Sequence, residues 1–241
     1  MKITYLGHSG FSVELEHTVL LFDYYIGKLP VWSKDKSVIV FASHSHSDHF
    51  NWRILRLVRE YPNLHYFFGN DIRLGEKWLI QKELPVSVKE KVTKLAGGRE
   101  AVFRNSGDEI RVKTLKSTDS GVAFIVEAEG KRIYHAGDLN WWHWIGEPED
   151  ENAEMGRAYK REIDQLTGLC FDAAFVPVDP RLEDTAFWGM KYFLDKTESV
   201  LTFPMHMWGK YEEAQQIIAR ENEIYVSRIA EISHGGQEWN I

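Results

Sequence analysis

The sequence predicts an α/β (α+β) fold in which two β-sheets pack against each other and helices cover the outer faces. Three observations support this prediction: short apolar runs recur along the chain, segments with helical periodicity lie between them, and 44% of the 241 residues are hydrophobic. Pro and Gly are scattered, without a low-complexity run. We therefore expect a single domain over residues 1–241.

Four short strands are predicted near the start of the chain, because runs of apolar and β-branched residues are separated there by Gly, Ser, Pro and Lys. They cover Ile3 to Leu6, Phe11 to Leu15, Val19 to Asp23 and Val38 to Ala42. Apolar residues at helical spacing then predict a helix from Phe50 to Tyr61, which Pro62 ends. A strand at His65 to Phe68 and a helix at Asp71 to Gln81 follow.

The rest of the chain continues to alternate between the two patterns. Residues 86–136 are predicted to be rich in strands, with a turn at Asn105 to Asp108. The later segments are a helix at Glu154 to Leu166, a strand at Phe171 to Val178, a helix at Lys210 to Arg220 and strands towards the end. The single cysteine, Cys170, lies among strand-forming residues and is expected in the core.

One segment departs from this alternation, and we interpret it as an insertion at about 140–166. It contains Trp141, Trp142, His143 and Trp144, followed by the acidic residues Glu147 to Glu151. Such a cluster of tryptophans is either a flap packed on the surface or an aromatic wall or lid beside a binding site. The sequence leaves both interpretations open.

A dense run of possible metal ligands follows the apolar strand at Val38 to Ala42. The run is Ser43-His44-Ser45-His46-Ser47-Asp48-His49, and it precedes a predicted helix. Imidazole nitrogens and carboxylate oxygens suit Zn²⁺ or a neighbouring first-row metal. A loop between a strand and a helix can direct His44, His46, Asp48 and His49 towards one point, so the run predicts a metal site.

Two later strand ends carry donors of the same kind. Asp138 follows the strand-forming Ile133 to Ala136 and a glycine, and His206 ends the strand-forming Phe203 to Met205. Taken alone, each is better explained as a turn residue. Together with the His-rich run, they are candidate ligands.

These residues together resemble the metallo-β-lactamase fold superfamily of metal-dependent hydrolases. The resemblance rests on the H-x-H-x-D-H run, the strand-end Gly137-Asp138 and the late Pro204-Met205-His206. The opening Leu6 to Phe11, followed by Leu20 to Asp23, is similar to the N-terminal hairpin of the lactonase-like and uncharacterised branch. The resemblance implies a four-layer αββα sandwich with a metal site at one edge of the two sheets.

The resemblance also implies a ligand set and a mechanism. His44, His46 and a histidine from a later loop would bind one metal ion, while Asp48, His49 and His206 would bind a second. Asp138 would bridge the two, and Asp48 and Asp138 would be the catalytic carboxylates. The implied chemistry is attack by a metal-bound hydroxide, held by Asp48, on a carbonyl or phosphorus centre. The cofactor would be one or two Zn²⁺ ions.

The sequence departs from this pattern at the later loop. The expected histidine falls near Lys116 to Gly121, where none occurs, and the position of His135 on its strand does not favour it as the replacement. One hypothesis is that Asp119 replaces the imidazole, which would favour Mn²⁺ or Fe²⁺. A second is a single-metal site of Asp48, His49, Asp138 and His206. A third is that the site has lost catalysis.

Several other residues are candidates for contact with the metal ligands or the substrate. His8 lies in a Gly-His-Ser-Gly turn, and Asp23 could accept a hydrogen bond from a ligating imidazole. Asp179 and Arg181 follow a strand, so Arg181 could meet an anionic substrate group or form a surface ion pair. His143 is either a proton donor or an exposed residue, while Trp141 and Trp142 belong to the possible aromatic wall.

The predicted function is a metal-dependent hydrolase that cleaves an ester, lactone or phosphodiester bond in a small molecule. A nuclease is the first alternative, but the formal net charge of −7 and the lack of a basic tract argue against a nucleic-acid partner. A non-catalytic metal-binding or ligand-sensing protein is the second. With no long apolar run, no secretory signal pattern and one cysteine, we expect no membrane contact and a cytoplasmic protein.

Overall fold

Two large β-sheets pack face to face in the computed structural model, which describes residues 1–105 and 108–241. Ser106 and Gly107, at the centre of the predicted turn from Asn105 to Asp108, lie outside the described residues.

Within the described residues, the first sheet has seven strands. In chain order they are β1 (Lys2–Gly7), β2 (Gly10–Glu14), β3 (Thr18–Phe22), β4 (Ser37–Ala42), β5 (Leu64–Gly69), β6 (Val92–Leu95) and, numbered last, β15 (Glu238–Asn240). Their spatial order is β15-β1-β2-β3-β4-β5-β6. Neighbouring strands are antiparallel from β15 to β3 and parallel from β3 to β6. As a result, β1, β3 and β4 run in the same direction.

In the part of the chain that the structure describes, the second sheet has six strands in the order β14-β12-β10-β9-β8-β7. They are β7 (Glu100–Asn105), β8 (Asp108–Lys116), β9 (Val122–Ala128), β10 (Lys131–His135), β12 (Ala173–Pro177) and β14 (Thr202–Met205). Strands β10, β12 and β14 are parallel, and the others pair antiparallel. A small two-stranded sheet pairs β11 (Cys170–Phe171) with β13 (Glu198–Ser199).

Aromatic side chains fill much of the space between the two large sheets. Phe11 of β2 stacks on Phe175 of β12 with ring centroids 4.2 Å apart, and Phe41 of β4 meets Phe124 of β9 at 5.2 Å. All four rings are fully buried. Because aromatic rings bury a large apolar area each, this layer holds the two sheets together.

Helical segments cover the outer faces. They are α1 (Glu76–Gln81), α2 (Glu149–Ile163), α3 (Trp188–Lys196), α4 (Tyr211–Ala219), α5 (Glu223–Val226) and 3₁₀ segments at Trp52–Arg59, Val86–Lys91, Asp164–Leu166 and Pro180–Thr185. Ile54, Leu55 and Leu79 pack on the outer face of the first sheet. On the second sheet, Phe193 of α3 stacks on Tyr134 at 4.9 Å. The predicted αββα layers are therefore confirmed.

Four sequence expectations differ from the structure. The helix predicted at Phe50 to Tyr61 is a 3₁₀ segment at Trp52–Arg59, whose buried residues still lie on one face. Helix α1 begins only at Glu76, and the last part of the chain forms α5 before the short β15. Cys170 is exposed, because it lies in the small β11–β13 sheet rather than between the large ones.

The strand directions create a common edge at one end of the sandwich. The loops after β1, β3 and β4 leave the first sheet there, and the loops after β10, β12 and β14 meet them from the second sheet. Carboxyl ends of parallel strands are a usual place for ligand sites. Within the described residues, no helix is both long enough and apolar enough to cross a membrane.

Candidate metal centre

Among the described residues, seven His and Asp side chains from these loops form two adjacent clusters. The four-residue cluster contains His8, Asp48, His49 and His206, and the three-residue cluster contains His44, His46 and Asp138. Within each cluster, the possible ligand atoms lie within 4.8 Å of one another. His8 follows β1, the His-rich run follows β4, Asp138 follows β10 and His206 follows β14. The fold thus brings together the candidate ligands that the sequence predicts, except Asp119.

Two glycines allow the second sheet to approach the loop that carries the His-rich run. Gly121 has a φ of +72°, and a Cβ atom there would lie 2.0 Å from the carbonyl oxygen of Ser43. Gly137 has a φ of +53°, and its Cβ atom would lie 2.7 Å from Cβ of Ser43. Any larger residue would clash at both positions, so these glycines allow Asp138 to lie beside His44 and His49.

Asp23 anchors the loop after β4. Its Oδ1 accepts a hydrogen bond from the backbone N–H of Ser43 at 2.7 Å, and its Oδ2 accepts one from the Ser43 hydroxyl at 2.6 Å. The same Oδ2 lies 2.7 Å from Nδ1 of His49. Because a carboxylate accepts hydrogen bonds, His49 carries its proton on Nδ1 and directs Nε2 into the site. The predicted contact of Asp23 with an imidazole in the site is therefore present.

Two further imidazoles are oriented in the same way. The Ser43 hydroxyl donates to Asp23, so its oxygen accepts from Nδ1 of His44 at 2.9 Å. Nδ1 of His206 lies 2.9 Å from Oδ2 of Asp179 and donates to it. In all three histidines, Nδ1 is held by an acceptor, which leaves the lone pair of Nε2 free.

These three Nε2 atoms point at one carboxylate. Asp138 Oδ1 lies 3.0 Å from Nε2 of His49 and 3.4 Å from Nε2 of His206, and its Oδ2 lies 3.3 Å from Nε2 of His44. In the described part of the chain, the Nε2 atoms of His44 and His49 and Oδ1 of Asp138 are buried without a hydrogen-bond partner. Acceptor atoms that face each other repel unless a cation lies between them. The donor set therefore fits a divalent first-row metal ion.

The electrostatics of the site also favour a cation. Burial lowers the pKa of His49, but the neighbouring carboxylates of Asp138 and Asp23 outweigh burial and raise this pKa to about 10, so a proton holds Nε2 until a metal ion displaces it. Burial raises the pKa of Asp138, whereas contact with His49, His206 and His44 brings it well below its usual range. The buried carboxylates are therefore ionised, and they attract positive charge to the imidazoles.

Left-handed backbone conformations concentrate at this edge. His8, Asp23, His206 and Trp208 have φ values of 54°, 39°, 65° and 54°. A residue with a side chain adopts this conformation at a cost of about 1–3 kcal/mol. The surrounding hydrogen bonds, including one of 3.1 Å from the His206 N–H to the His8 carbonyl, hold the loops in place.

A cavity of about 200 Å³ opens beside Asp138 and His206. It is lined further by Thr118, Asp119, Trp142, Trp144, Met155 and Arg181. The Trp142 indole N–H donates to the Asp138 carbonyl at 2.9 Å, and its ring lies 5.3 Å from that of His206. The tryptophan segment therefore provides a wall of the cavity through Trp142 and Trp144. A larger cavity of about 310 Å³, lined in part by β7 and β8, contains none of the cluster residues.

Three of the candidate residues belong to neither cluster: Asp119, Trp141 and His143. Asp119 is exposed on the cavity wall and belongs to neither cluster, although its loop leaves β8 at the same edge and Thr118 in that loop hydrogen-bonds the Asn140 backbone. Trp141 packs at 5.3 Å on Trp188 in α3. His143 also lies against Trp188, with ring centroids 4.7 Å apart. Trp141 and His143 therefore face the helices rather than the clusters.

His135 and Arg181 both have hydrogen-bond partners within the protein. Nδ1 of His135 accepts from the Gly137 N–H at 3.1 Å, so Nε2 carries the proton and donates to the Ser9 carbonyl at 2.9 Å. Both ring nitrogens are used, as expected for a residue that is not a ligand. The Arg181 guanidinium pairs with Asp179, at 3.0 Å from Nε to both carboxylate oxygens, and so supports the anchor of His206.

The sequence prediction missed Ser43 and Trp208, and it named Trp144 only as part of the possible aromatic wall. Ser43 connects Asp23 to His44, and its position between the strand and the His-rich run was the available signal. Trp144 stacks on Trp142 in the cavity wall at 6.1 Å. Trp208, two residues after His206, lies 4.5 Å from the His8 ring and 4.6 Å from the Arg181 guanidinium. Only the tertiary structure identifies Trp208 as part of the site.

Comparison with known proteins gives related sequences over part of the chain. A UPF0173 metal-dependent hydrolase from Opitutus terrae is 31% identical over 152 residues, which cover 57% of this chain and 63% of that protein. Another from Alkaliphilus metalliredigens is 30% identical over 151 residues, with the same shares of the two chains. In both cases the chain matches less than two thirds of the relative's length.

Comparison with solved structures supports the fold over the whole chain. Igni18, described as a metallo hydrolase from Ignicoccus hospitalis, superposes with a TM-score of 0.61 at 18% identity and covers 100% of this chain and 98% of that one. The model of the β-lactamase superfamily domain matches residues 2–149, which is more than half of the 241 residues and includes six of the seven cluster residues. The chain therefore belongs to the metallo-β-lactamase fold superfamily.

Proposed function

We propose that this protein is a metal-dependent hydrolase that cleaves an ester or lactone bond in a small molecule. The observation that carries the proposal is the Asp138 carboxylate, whose two oxygens face imidazoles of both clusters at 3.0–3.4 Å. A carboxylate in this position can bind two cations at once, one through each oxygen. The names of the UPF0173 relatives, which describe metal-dependent hydrolases, agree with the proposal.

The proposed cofactor is Zn²⁺, in one or two ions. Imidazole nitrogens and carboxylate oxygens are typical zinc ligands. The four-residue cluster offers three imidazoles and one carboxylate. When bound, such an ion makes water a stronger nucleophile and stabilises negative charge on the bond being cleaved. His44, His49 and His206 would hold the metal through their Nε2 atoms.

Asp48 has the properties of the proton-handling residue. Its side chain is 21% exposed, whereas those of His8, His49 and His206 are at most 5% exposed. Burial raises the pKa of Asp48, but the neighbouring imidazoles of His8 and His49 bring it well below its usual range. An ionised carboxylate at the open side of the cluster can hold the attacking water and accept its proton.

The cavity wall determines the class of substrate in this proposal. A volume of about 200 Å³ suits a small molecule, and the rings of Trp142 and Trp144 suit an apolar or aromatic group. Asp119 faces the same cavity, and the charge of Arg181 is already paired with Asp179. A neutral ester or lactone is therefore favoured over a phosphodiester, and the net charge of −7 disfavours nucleic acid.

The proposal can be tested with chromogenic ester, lactone and phosphodiester reporters. The full chain would be freed of metal, reloaded with Zn²⁺, Mn²⁺ or Fe²⁺ and compared with Asp48→Asn and with the exposed control His234→Gln. We expect ester or lactone hydrolysis that needs metal, falls at least about 100-fold in Asp48→Asn and is unchanged in the control. Hydrolysis that persists after chelation, or no hydrolysis despite full metal loading, would overturn it.

A further inference from the structure

His8 is a buried imidazole that belongs to the four-residue cluster yet lies outside the His-rich run. Its Nε2 lies 3.3 Å from Oδ2 of Asp48, and its side chain is 3% exposed. Within the described residues, this Nε2 has no hydrogen-bond partner of acceptable geometry. A buried ring nitrogen without a partner, surrounded by other donors to metals, needs a ligand or a proton.

The backbone around His8 is built to keep the imidazole in this place. His8 adopts a left-handed conformation with a φ of 54°. Its carbonyl accepts hydrogen bonds from the His206 N–H at 3.1 Å and from the Tyr5 hydroxyl at 3.4 Å. The His8 ring packs on Trp208 at 4.5 Å and on His206 at 4.3 Å. The loop after β1 is therefore fastened directly to the loop that carries His206.

His8 also changes the balance between the two clusters. No histidine occurs at Lys116 to Gly121, and Asp119 belongs to neither cluster, so the three-residue cluster has two imidazoles and the shared Asp138. The four-residue cluster has three imidazoles and Asp48, and the shared Asp138 also faces His49 and His206, so with His8 this cluster offers more donors than the three-residue cluster.

We propose that His8 is a metal ligand, so that the four-residue cluster binds the first ion tightly and the three-residue cluster binds a second ion more weakly. This proposal rests on the metal binding that the proposed function needs, but not on hydrolysis. The ligand is a divalent first-row cation, and His8 contributes its Nε2 lone pair. The alternative is that His8 is a packing residue that only orients Asp48.

The test measures metal binding instead of activity. The metal-free full chain would be titrated with Co²⁺, whose visible absorption reports on its ligands, and the His8→Gln variant would be compared with His234→Gln. The glutamine side chain in His8→Gln stays polar beside Asp48 but lacks the imidazole. Since losing an outer partner of a ligand already weakens binding about 10–100-fold, we expect His8→Gln to weaken the first Co²⁺ by more than about 100-fold. His234 is exposed and contacts its neighbour's carbonyl, so its variant should bind normally.

A second measurement does not depend on a variant that folds. In the wild-type chain with ¹⁵N-labelled histidine and one equivalent of ¹¹³Cd²⁺, Nε2 of His8 should show a scalar coupling to cadmium. An affinity of His8→Gln within about threefold of wild type, or a His8 resonance without this coupling, would overturn the proposal. Coupling without hydrolysis of any reporter would instead overturn only the proposed function, so the two failures are distinguishable.

Discussion

The two clusters differ in how firmly their imidazoles are held. In the four-residue cluster, His49 and His206 each donate from Nδ1 to a buried carboxylate, that of Asp23 or Asp179. In the three-residue cluster, Nδ1 of His44 meets only a hydroxyl, and His46 is exposed with no side-chain hydrogen bond in the described part of the chain. The two clusters share an edge of the fold, but buried carboxylates hold imidazoles through Nδ1 only in the four-residue cluster, among the described residues.

This difference indicates that one site is preorganised and the other is adaptable. A carboxylate behind a ligating imidazole fixes its orientation and makes it a stronger donor to a metal. His46 must lose side-chain freedom when it binds an ion, which reduces the net gain in binding free energy. We therefore expect the ion in the three-residue cluster to exchange faster and to be removed first by a chelator.

The largest expected effect comes from Asp138, because both clusters use it. In Asp138→Asn we expect bound metal to fall in both clusters and hydrolysis to fall about 1000-fold, which corresponds to about 4 kcal/mol in the activation free energy. Metal content after gel filtration and turnover of the reporter ester measure the two effects.

Asp172→Asn is the matched control for Asp138→Asn. Asp172 pairs with Lys131 at 2.8 Å and lies before β12, at the opposite end of that strand from the site. Its variant should keep both metal content and activity within about twofold of wild type, because no cluster residue depends on it. An Asp138→Asn variant that still holds one ion and turns over normally would show that the clusters are independent.

A smaller effect should distinguish the carboxylate that holds His49 from the hydroxyl that holds His44. Asp23→Asn removes the carboxylate behind His49, and we expect the affinity for the first metal ion to fall about 10–100-fold. Ser43→Ala removes the hydroxyl behind His44 and should weaken mainly the second ion. Calorimetric titration of the metal-free variants measures both constants. Equal losses of the first ion in the two variants would contradict the proposed difference between the clusters.

The smallest effect concerns acid stability and uses a histidine outside both clusters. Nε2 of His65 forms a hydrogen bond of 2.9 Å with the Thr93 hydroxyl, and the His65 ring stacks on Phe103 with ring centroids 4.4 Å apart. Burial, with a contribution from Lys91, lowers its pKa from 6.5 to about 4. Between pH 6.5 and about pH 4, His65 binds a proton more readily in the unfolded chain than in the folded protein. Its protonation therefore lowers the free energy of unfolding as the pH falls through this range.

His65→Gln should remove this contribution. The pKa difference corresponds to at most about 3 kcal/mol, and partial exposure of the ring reduces the expected value to about 1–2 kcal/mol. Urea unfolding at pH 7.5, 5.5 and 4.5 should show wild type losing that much more stability than the variant. An equal loss of unfolding free energy with falling pH in the wild type and the variant would contradict the prediction. Acid sensitivity that remains in His65→Gln can then be assigned to other groups, among them the two clusters.

Most of the strands and the principal candidate ligands could be predicted because their signals are local. The apolar run of β4 and the H-x-H-x-D-H residues after it are adjacent in the chain, and Asp138 and His206 each follow a recognisable strand. The 3₁₀ segment at Trp52–Arg59 shows the limit of this approach, because apolar spacing identifies the buried face but not the hydrogen-bond pattern.

The sequence left parts of the site open because they depend on contacts between distant segments. Asp119 has the right chemistry and the right loop, yet its side chain belongs to neither cluster. Trp141 and Trp142 are neighbours, but Trp142 reaches the Asp138 carbonyl while Trp141 packs on α3. A one-residue step reverses the direction of a side chain in an extended segment, so periodicity cannot decide which of the two faces the cavity.

The sequence by itself determined the chemistry of the donors, their position at the ends of strands and the αββα architecture. These properties depend on residue type and on short-range patterns of burial. Only the tertiary structure decided which donor atoms meet: it placed His8 from the first strand beside His206 from the last part of the chain, and Asp23 behind His49. The physical reason is that sheet packing and left-handed loop conformations, both set by contacts far apart in the chain, determine where each lone pair points.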